Sequence, residues 1–324
     1  MRAIVARARA AGVEGLALAD MPYPHAAEND VIVQVHAAGF TPGELDWPGT
    51  WIDRAGRDRT PTIPGHDLSG VVVELGYGTT GLAVGQRVFG LTDWCRNGTL
   101  AEFVAVEARN LAPLSAGIDH ITAAALSISG LTAWQGLFAH GQLRTGQTVV
   151  IHGAAGAVGS LAVQLAHQAG ARVIGTGRGA QAPTALGLGA EIFVDLERDG
   201  LEDIGEVDMV FDVIGGQTLY RSATLIRPGG SLVSIAEPPP TPQEGRHAVF
   251  FVVEPDRTGL IELERRLRDG RLQPLVGRTY PLEEAAAAFD PANRSGGRTM
   301  IRVMDAVQPA TEPVEESNRT EAAF

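Results

Sequence analysis

Three glycines at intervals of three, Gly153, Gly156 and Gly159, follow the strand-forming run Val149-Val150-Ile151-His152. After them comes Ser160-Leu161-Ala162-Val163-Gln164-Leu165-Ala166, apolar at helical spacing and free of proline. The pattern predicts a strand, a tight turn and a helix. A turn without side chains lets a phosphate reach the helix N-terminus, where backbone N–H groups and the helix dipole face it. Gly153 would make the turn, Gly156 would open the approach to a pyrophosphate, and Gly159 would bring helix and strand close together. The backbone of Ala155, Ala157 and Val158 would complete the cradle. The chemistry implied is dinucleotide binding. A plain strand-to-helix turn is the alternative in a chain with 40 glycines.

A second strand-like run, Arg172-Val173-Ile174-Gly175-Thr176, ends in Gly177-Arg178-Gly179 without an acid. An Asp or Glu at this place accepts hydrogen bonds from a ribose 2′-OH and repels a 2′-phosphate. Here the Arg178 guanidinium and the Thr176 hydroxyl would instead meet that phosphate, so the cofactor expected is NADPH. The competing reading of Arg178 is a solvated loop residue at a site that merely tolerates the phosphate.

The elements that must hold this turn are legible in outline. A chain of 324 residues with 44% hydrophobic and 20% charged residues is expected to fold as two domains. A net charge of −12 argues against a nucleic-acid partner, and no basic amphipathic helix suits an anionic membrane. The lone Cys95 excludes an internal disulfide and a multi-cysteine zinc cluster. The start, Met1-Arg2-Ala3-Ile4-Val5, leads directly into strand-like residues, and the expected localisation is cytoplasmic.

Residues 1–120 read as short strands punctuated by Gly, Pro, Asn and Asp, a β-rich, barrel-like module. Within them Gly39 to Pro64 is a long segment carrying Trp47, Trp51 and several acids, expected to wall a binding cleft. Ile121–Ile128 and Leu131–Phe138 are apolar at helical spacing, and regular alternation of strand and helix follows to residue 254. That alternation implies a doubly wound parallel sheet with its ligand at the carboxyl ends of the strands. Residues 255–304 would return to complete the first module. The polar, acidic stretch 305–324 is expected to be disordered.

Taken together, Ile63-Pro64-Gly65-His66-Asp67-Leu68-Ser69-Gly70, Leu131-Thr132-Ala133-Trp134-Gln135 and the segment from His152 to Gly159 resemble the medium-chain dehydrogenase/reductase superfamily. The branch resembled is the zinc-independent quinone oxidoreductases. The resemblance implies an α/β fold in which a Rossmann NADPH-binding domain, 121–254, joins a GroES-like β-barrel catalytic domain, 1–120 with 255–304. It places Thr132 near the nicotinamide ribose or ring, the backbone of Phe250 and Phe251 at the carboxamide, and Arg298 near the cofactor. It also implies a homodimer joined through the edge strand of the nucleotide domain. His152 reads as core, and Asp212 with Gly215-Gly216 as bordering the adenosine side.

Zinc-dependent relatives carry a ligand cysteine shortly after the Gly of a motif like Ala38-Gly39, and a Gly-His-Glu motif supplies a second ligand. Here Phe40-Thr41-Pro42-Gly43 follows Gly39, and His66 stands beside Asp67, so no metal is expected. Without one, the remaining chemistry is hydride transfer to a quinone or α,β-unsaturated ketone, whose own conjugation spreads the developing charge. Many relatives place Asn, Asp and Tyr in the stretch aligned with Thr41 to Asp46. This chain has Thr41, Glu44 and Asp46, so Thr41, Asp46 or a water would deliver the proton. Solvated surface carboxylates are the competing readings of Asp46 and Glu44. Trp47 and Trp51 would offer flat surfaces to a ring substrate. Two other functions stay open: an enoyl reductase of a polyketide or other secondary-metabolite intermediate, and a redox-silent NADPH-binding protein like the lens crystallins.

Overall fold

The computed structural model describes residues 1–241, 244–293 and 296–304; the disorder expected of 305–324 therefore falls outside the described residues. The first part of the chain is built of β1 (Arg2–Ala6), β2 (Leu16–Asp20), β3 (Asp30–Gly39), the short helix α1 (Pro48–Trp51), β4 (Asp67–Leu75), β5 (Arg87–Leu91), β6 (Phe103–Glu107) and β7 (Leu111–Pro113). Helix α2 (His120–Trp134) then leads into β8 (Thr148–His152), α3 (Ala157–Gln168), β9 (Arg172–Gly177), α4 (Ala182–Gly187), β10 (Ile192–Asp195), β11 (Val207–Asp212), α5 (Gly216–Ser222), β12 (Ile226–Ser234) and β13 (His247–Phe250). The chain closes with α6 (Arg257–Arg268), β14 (Val276–Pro281), α7 (Ala285–Phe289) and β15 (Arg298–Arg302).

Strands β8 to β13 form one six-stranded sheet in the order β10-β9-β8-β11-β12-β13, with every neighbouring pair parallel. Parallel strands covered by helices on both faces must be apolar on both faces. Val149, Val150 and Ile151 of β8 are each 0% exposed, which is why a run without alternation folds here as a central strand. The sheet reverses its order between β8 and β11, and the glycine turn leaves β8 at that point. Doubly wound sheets bind ligands at such a reversal.

Strands β1 and β2 pair as a two-stranded antiparallel sheet, and a seven-stranded sheet has the order β14-β15-β3-β4-β5-β7, with β6 paired to β3. Its last two members come from the C-terminal end of the described chain: β15 pairs antiparallel with β3, setting Ile301 opposite Ala38. The barrel core, including Ile4, Val33, Val35, Leu68, Val88 and Leu100, is thereby sealed by Ile301, Leu282 and Phe289.

Helix α2 joins the two halves. Asp119 caps it, accepting from Thr122 N at 2.8 Å. The two apolar segments expected here are one helix, prolonged by a wider turn over Gln135–His140. Gly130 does not break it, because the helix packs too closely there for a side chain: a Cβ would stand 2.9 Å from Leu126 and 3.0 Å from Leu263. By length and composition residues 120–140 could span a membrane, but most of this stretch is buried inside the protein, as a core helix is. Burial of Leu126, Ile128 and Leu131 contributes about 1.5–3 kcal/mol each. The stretch from Gly39 to Pro64 is not a bare loop either; it holds a short turn of helix at Glu44–Asp46 and then α1.

Candidate active site

The glycine turn adopts the shape its spacing demands. Gly153 has φ +65, a left-handed conformation that favours glycine, and Gly156 N donates to Gly153 O at 2.8 Å. Ala157, Val158 and Gly159 form the first turn of α3, so their N–H groups have no carbonyl one turn back and stand open for an anion. A Cβ on Gly156 would meet only Gly153 O, at 3.1 Å, with open space beyond. A Cβ on Gly159 would fall onto Gly153 O and lie 2.7 Å from Gly153 C. One glycine therefore leaves room for a ligand and the other lets the helix touch the turn.

Two expectations at the end of β9 fare differently. Arg178 lies just beyond the strand with its side chain 81% exposed, 3.7 Å from Glu197. Thr176 is not a phosphate ligand: it is 0% exposed and its Oγ1 pairs with His152 Nδ1 at 2.7 Å. The register sets His152 opposite Thr176, so the two polar groups satisfy each other inside the sheet. His152 Nε2 pairs in turn with Ser222 Oγ at 2.7 Å. Burial holds the imidazole down to about 3, so this ring is a neutral tie between β8, β9 and α5, as its reading as a core residue requires. Asp212 accepts from Gly215 N and Ser234 Oγ at the end of β11.

The barrel segment from Thr41 to Trp51 holds most of the other expected residues. Thr41 Oγ1 is buried without a partner among the described residues. Asp46 is exposed, as a solvated carboxylate is, and its carbonyl accepts from the Arg9 side chain. Trp47 is half-buried and stands edge-on to Trp94 with ring centroids 5.4 Å apart. Trp51 is not a cleft wall; it is 6% exposed, lies in the barrel core, and gives its indole N–H to Leu45 O at 2.7 Å. Helix α1 turns it inward. Thr132 is buried in α2, donating from Oγ1 to Ile128 O at 2.7 Å. At the end of β13, Phe250 is half-exposed while Phe251 is buried against the His140 ring at 4.3 Å. Gln135 clamps the chain beyond it, donating from Nε2 to Glu254 O at 2.7 Å.

Arg298 opens β15, 7% exposed, and pairs through Nη2 with Asp67, which is 0% exposed. The other oxygen of Asp67 accepts from Ile128 N, in the middle of α2, at 2.9 Å. Arg298 Nε is buried with no partner among the described residues. One ion pair thus binds the last strand to β4 and to the shared helix.

Glu44 is the residue that sequence reasoning missed. It is 0% exposed, and its carboxylate accepts from Thr41 N at 2.9 Å and from Gly65 N at 2.7 Å. No local pattern marks Gly43-Glu44-Leu45-Asp46 as anything but a polar turn; the signal is the fold-back onto Gly65. Burial pushes this carboxyl up to about 7, outweighing the two backbone donors and the Arg298 charge. A carboxyl whose folded value exceeds its unfolded one stabilises the fold when protonated, and that contribution is lost as pH rises through 7. We expect the unfolding free energy of the wild type to fall between pH 5 and 8 by more than that of Glu44→Gln, a difference on the order of 3 kcal/mol. Parallel declines of the two proteins would refute a protonated Glu44.

Comparison with known proteins gives these features a setting. An alcohol dehydrogenase GroES-like domain matches residues 27–116, and a zinc-binding dehydrogenase domain matches residues 188–298. The chain is 30% identical over 311 residues to the NADPH-dependent alkenal/one oxidoreductase of Arabidopsis thaliana chloroplasts, spanning 90% of this chain and 76% of that protein. It belongs to the medium-chain dehydrogenase/reductase superfamily, in the quinone-oxidoreductase-like branch.

Within this superfamily of oxidoreductases, the quinone oxidoreductase of Rattus norvegicus is 29% identical over 303 residues, covering 86% of this chain and 90% of that one. The spectinabilin polyketide synthase system protein NorB of Streptomyces orinoci is 33% identical over 305 residues, 88% of this chain but only 14% of NorB. Among solved structures, the quinone oxidoreductase from Coxiella burnetii superposes with a TM-score of 0.84 at 26% identity, covering 94% of this chain and 99% of that one.

The zinc that names one matching domain does not suit the residues present. Residues 40–43 offer no cysteine, and both oxygens of Asp67 are taken by Arg298 and Ile128 N, which leaves His66 as a single imidazole donor. No group of three His, Cys, Asp or Glu is disposed to hold a metal ion among the described residues. A catalytic zinc needs about three protein ligands.

Proposed function

We propose that this protein is an NADPH-dependent, zinc-independent reductase that passes hydride to a quinone or an α,β-unsaturated ketone. The observation that carries the reading is the glycine turn between β8 and α3, whose open first-turn amides and side-chain-free approach suit a pyrophosphate, in a chain where Asp67 is committed to Arg298 and Ile128 N. The amides of Ala157, Val158 and Gly159 would hold the pyrophosphate, and Arg178 the 2′-phosphate, with Glu197 as its only competitor among the described residues. When bound, NADPH supplies the hydride. The unpartnered Thr41 hydroxyl would meet the substrate oxygen, and Trp47 would lie along a ring substrate and exclude water. A conjugated carbonyl moves charge away from the attacked carbon, so it asks for hydrogen-bond donors rather than a Lewis acid.

A second reading, reduction of an enoyl intermediate in polyketide assembly, draws on the 33% identity to NorB. Either reaction would take place in the cytoplasm, in a homodimer joined through an edge strand of the six-stranded sheet, whose edges are β10 and β13.

The test is NADPH oxidation against a quinone, an enone and an aldehyde, repeated with NADH and with Arg178→Ala. We expect turnover of quinone or enone, and a fall of about tenfold or more in the NADPH over NADH ratio of kcat/KM on removing Arg178. Tight NADPH binding without turnover of any acceptor would replace this reading by a carrier-tethered enoyl substrate or a redox-silent binder.

A further inference from the structure

A cavity of about 510 Å³ lies in the first part of the chain, between the residues that follow β2, Ile63, and Phe103, Val104 and Ala105 of β6. It takes in no residue of the six-stranded sheet or of the glycine turn. Its charge runs against that of the chain. The protein has a net charge of −12, yet Arg59, Arg96 and His25 line this cavity and no Asp or Glu does. Two other cavities, of about 570 and 620 Å³, mix arginines with acids, Asp93 and Glu254 in one and Glu28 and Asp30 in the other.

The two guanidiniums are not equivalent. Arg96 grips Asp30 through both terminal nitrogens, at 3.0 and 2.6 Å, and is neutralised by it. Arg59 has no ion-pair partner among the described residues; Asp93 and Asp53 act on it from a distance and are themselves paired with Arg54 and Arg57. Its Nη1 donates to Gly49 O and Thr50 O, which fixes the group in place, while Nη2 is buried with no partner among the described residues. A buried cationic donor without an acceptor is costly, and a ligand that supplies the acceptor recovers that cost. Asn97, also lining the cavity, spends its side-chain oxygen on Ile63 N at 3.3 Å, which leaves its amide nitrogen to donate.

The remaining wall is largely apolar. The Tyr23 and Phe103 rings stand 5.1 Å apart with their planes inclined by 54°, and Met21 and Ile63 line the cavity with them. Tyr23 keeps 42% of its surface exposed. One unpaired cation, a neutral donor and an aromatic wall together select a ligand with a single negative charge and an apolar body. A phosphate would ask for more free donors than Arg59 and Asn97 provide. The volume is that of an ordinary small-molecule site.

We propose that this cavity is a second ligand site, which binds a small apolar carboxylate with its charge on Arg59 and its body against Tyr23 and Phe103. The site goes beyond the reductase reading and does not depend on it.

Calorimetric titration of the full chain with 4-phenylbutyrate tests this. We expect saturable binding with a Kd below about 1 mM, unchanged when NADPH is present, and none with acetate, which lacks the apolar body. The uncharged 4-phenylbutanamide should bind weaker by about tenfold or more, because it cannot pair with the guanidinium. Arg59→Met should abolish binding. Ala105→Trp, at a half-buried position of β6, should abolish it by filling the cavity while leaving the bonds of Arg59 to Gly49 and Thr50 intact, and so decides the question if Arg59→Met does not fold. Absence of saturable binding, equal affinity for the amide, or affinity retained in folded Ala105→Trp overturns the proposal. NADPH oxidation by the wild type is read separately, so failure of either reading leaves the other standing.

Discussion

Gly159→Ala is expected to raise the Kd for NADPH by 100-fold or more. The added methyl would strike the backbone of Gly153, not the tip of a mobile side chain, so either α3 must retreat or the turn must open. Both motions carry the amides of Ala157 and Val158 away from the place where a pyrophosphate would lie. A 100-fold loss corresponds to about 2.7 kcal/mol. Gly156→Ala separates the two roles of the turn. Its methyl would press only on Gly153 O, at 3.1 Å, and so would lower Tm less than Gly159→Ala does, yet it would stand where the phosphate approaches and so weaken binding. Fluorescence titration with NADPH, paired with thermal melts of the free proteins, checks both. Wild-type affinity in Gly159→Ala would mean that this turn does not hold the nucleotide.

Arg298→Met should be the most destabilising single change at the domain junction. It removes the cation but leaves Asp67 at 0% exposure, and breaking a buried pair from one side costs about 3–5 kcal/mol. Adding Asp67→Asn should recover most of that loss. The amide oxygen can still accept from Ile128 N, and no charge is left in the core. Urea unfolding of the two single variants and the double variant, without cofactor, closes the cycle. A loss below about 1 kcal/mol in Arg298→Met, or a double variant no more stable than it, would refute the charge-pairing account.

The nucleotide half could be read closely from the chain because its physics is local. Continuous apolar runs such as Val149–Ile151 are what a strand buried on both faces requires, and the three glycines fix the turn by their spacing alone. The errors have another cause: the fold, not the local sequence, gives each misread residue its surroundings. Thr176 ends a strand at the right place for a ligand, but the β8–β9 register puts His152 against it. Glu44 sits in a polar turn that folds back onto Gly65, and Trp51 is rotated into the barrel by a single turn of helix. Where strand pairing and fold-back decide, composition and period have nothing to say. Polar residues in such places are read as solvated or functional by default.

The return of the final strands to the first sheet also bears on how the protein is made. Asp67 and Arg298 are separated by 231 residues of chain. At ~5–20 residues per second, the early strands wait on the order of 10 to 50 s on the ribosome before β15 can pair with β3. Until then the Ala37–Gly39 end of β3 lacks its β15 partner and the barrel core lacks Ile301 and Phe289, while the six-stranded sheet, contiguous in sequence, is synthesised whole within the interval. The barrel strands, made before the six-stranded sheet, are thus completed after it, and the nascent barrel, with its open edge, is the stage at which chaperone capture and misassociation should concentrate.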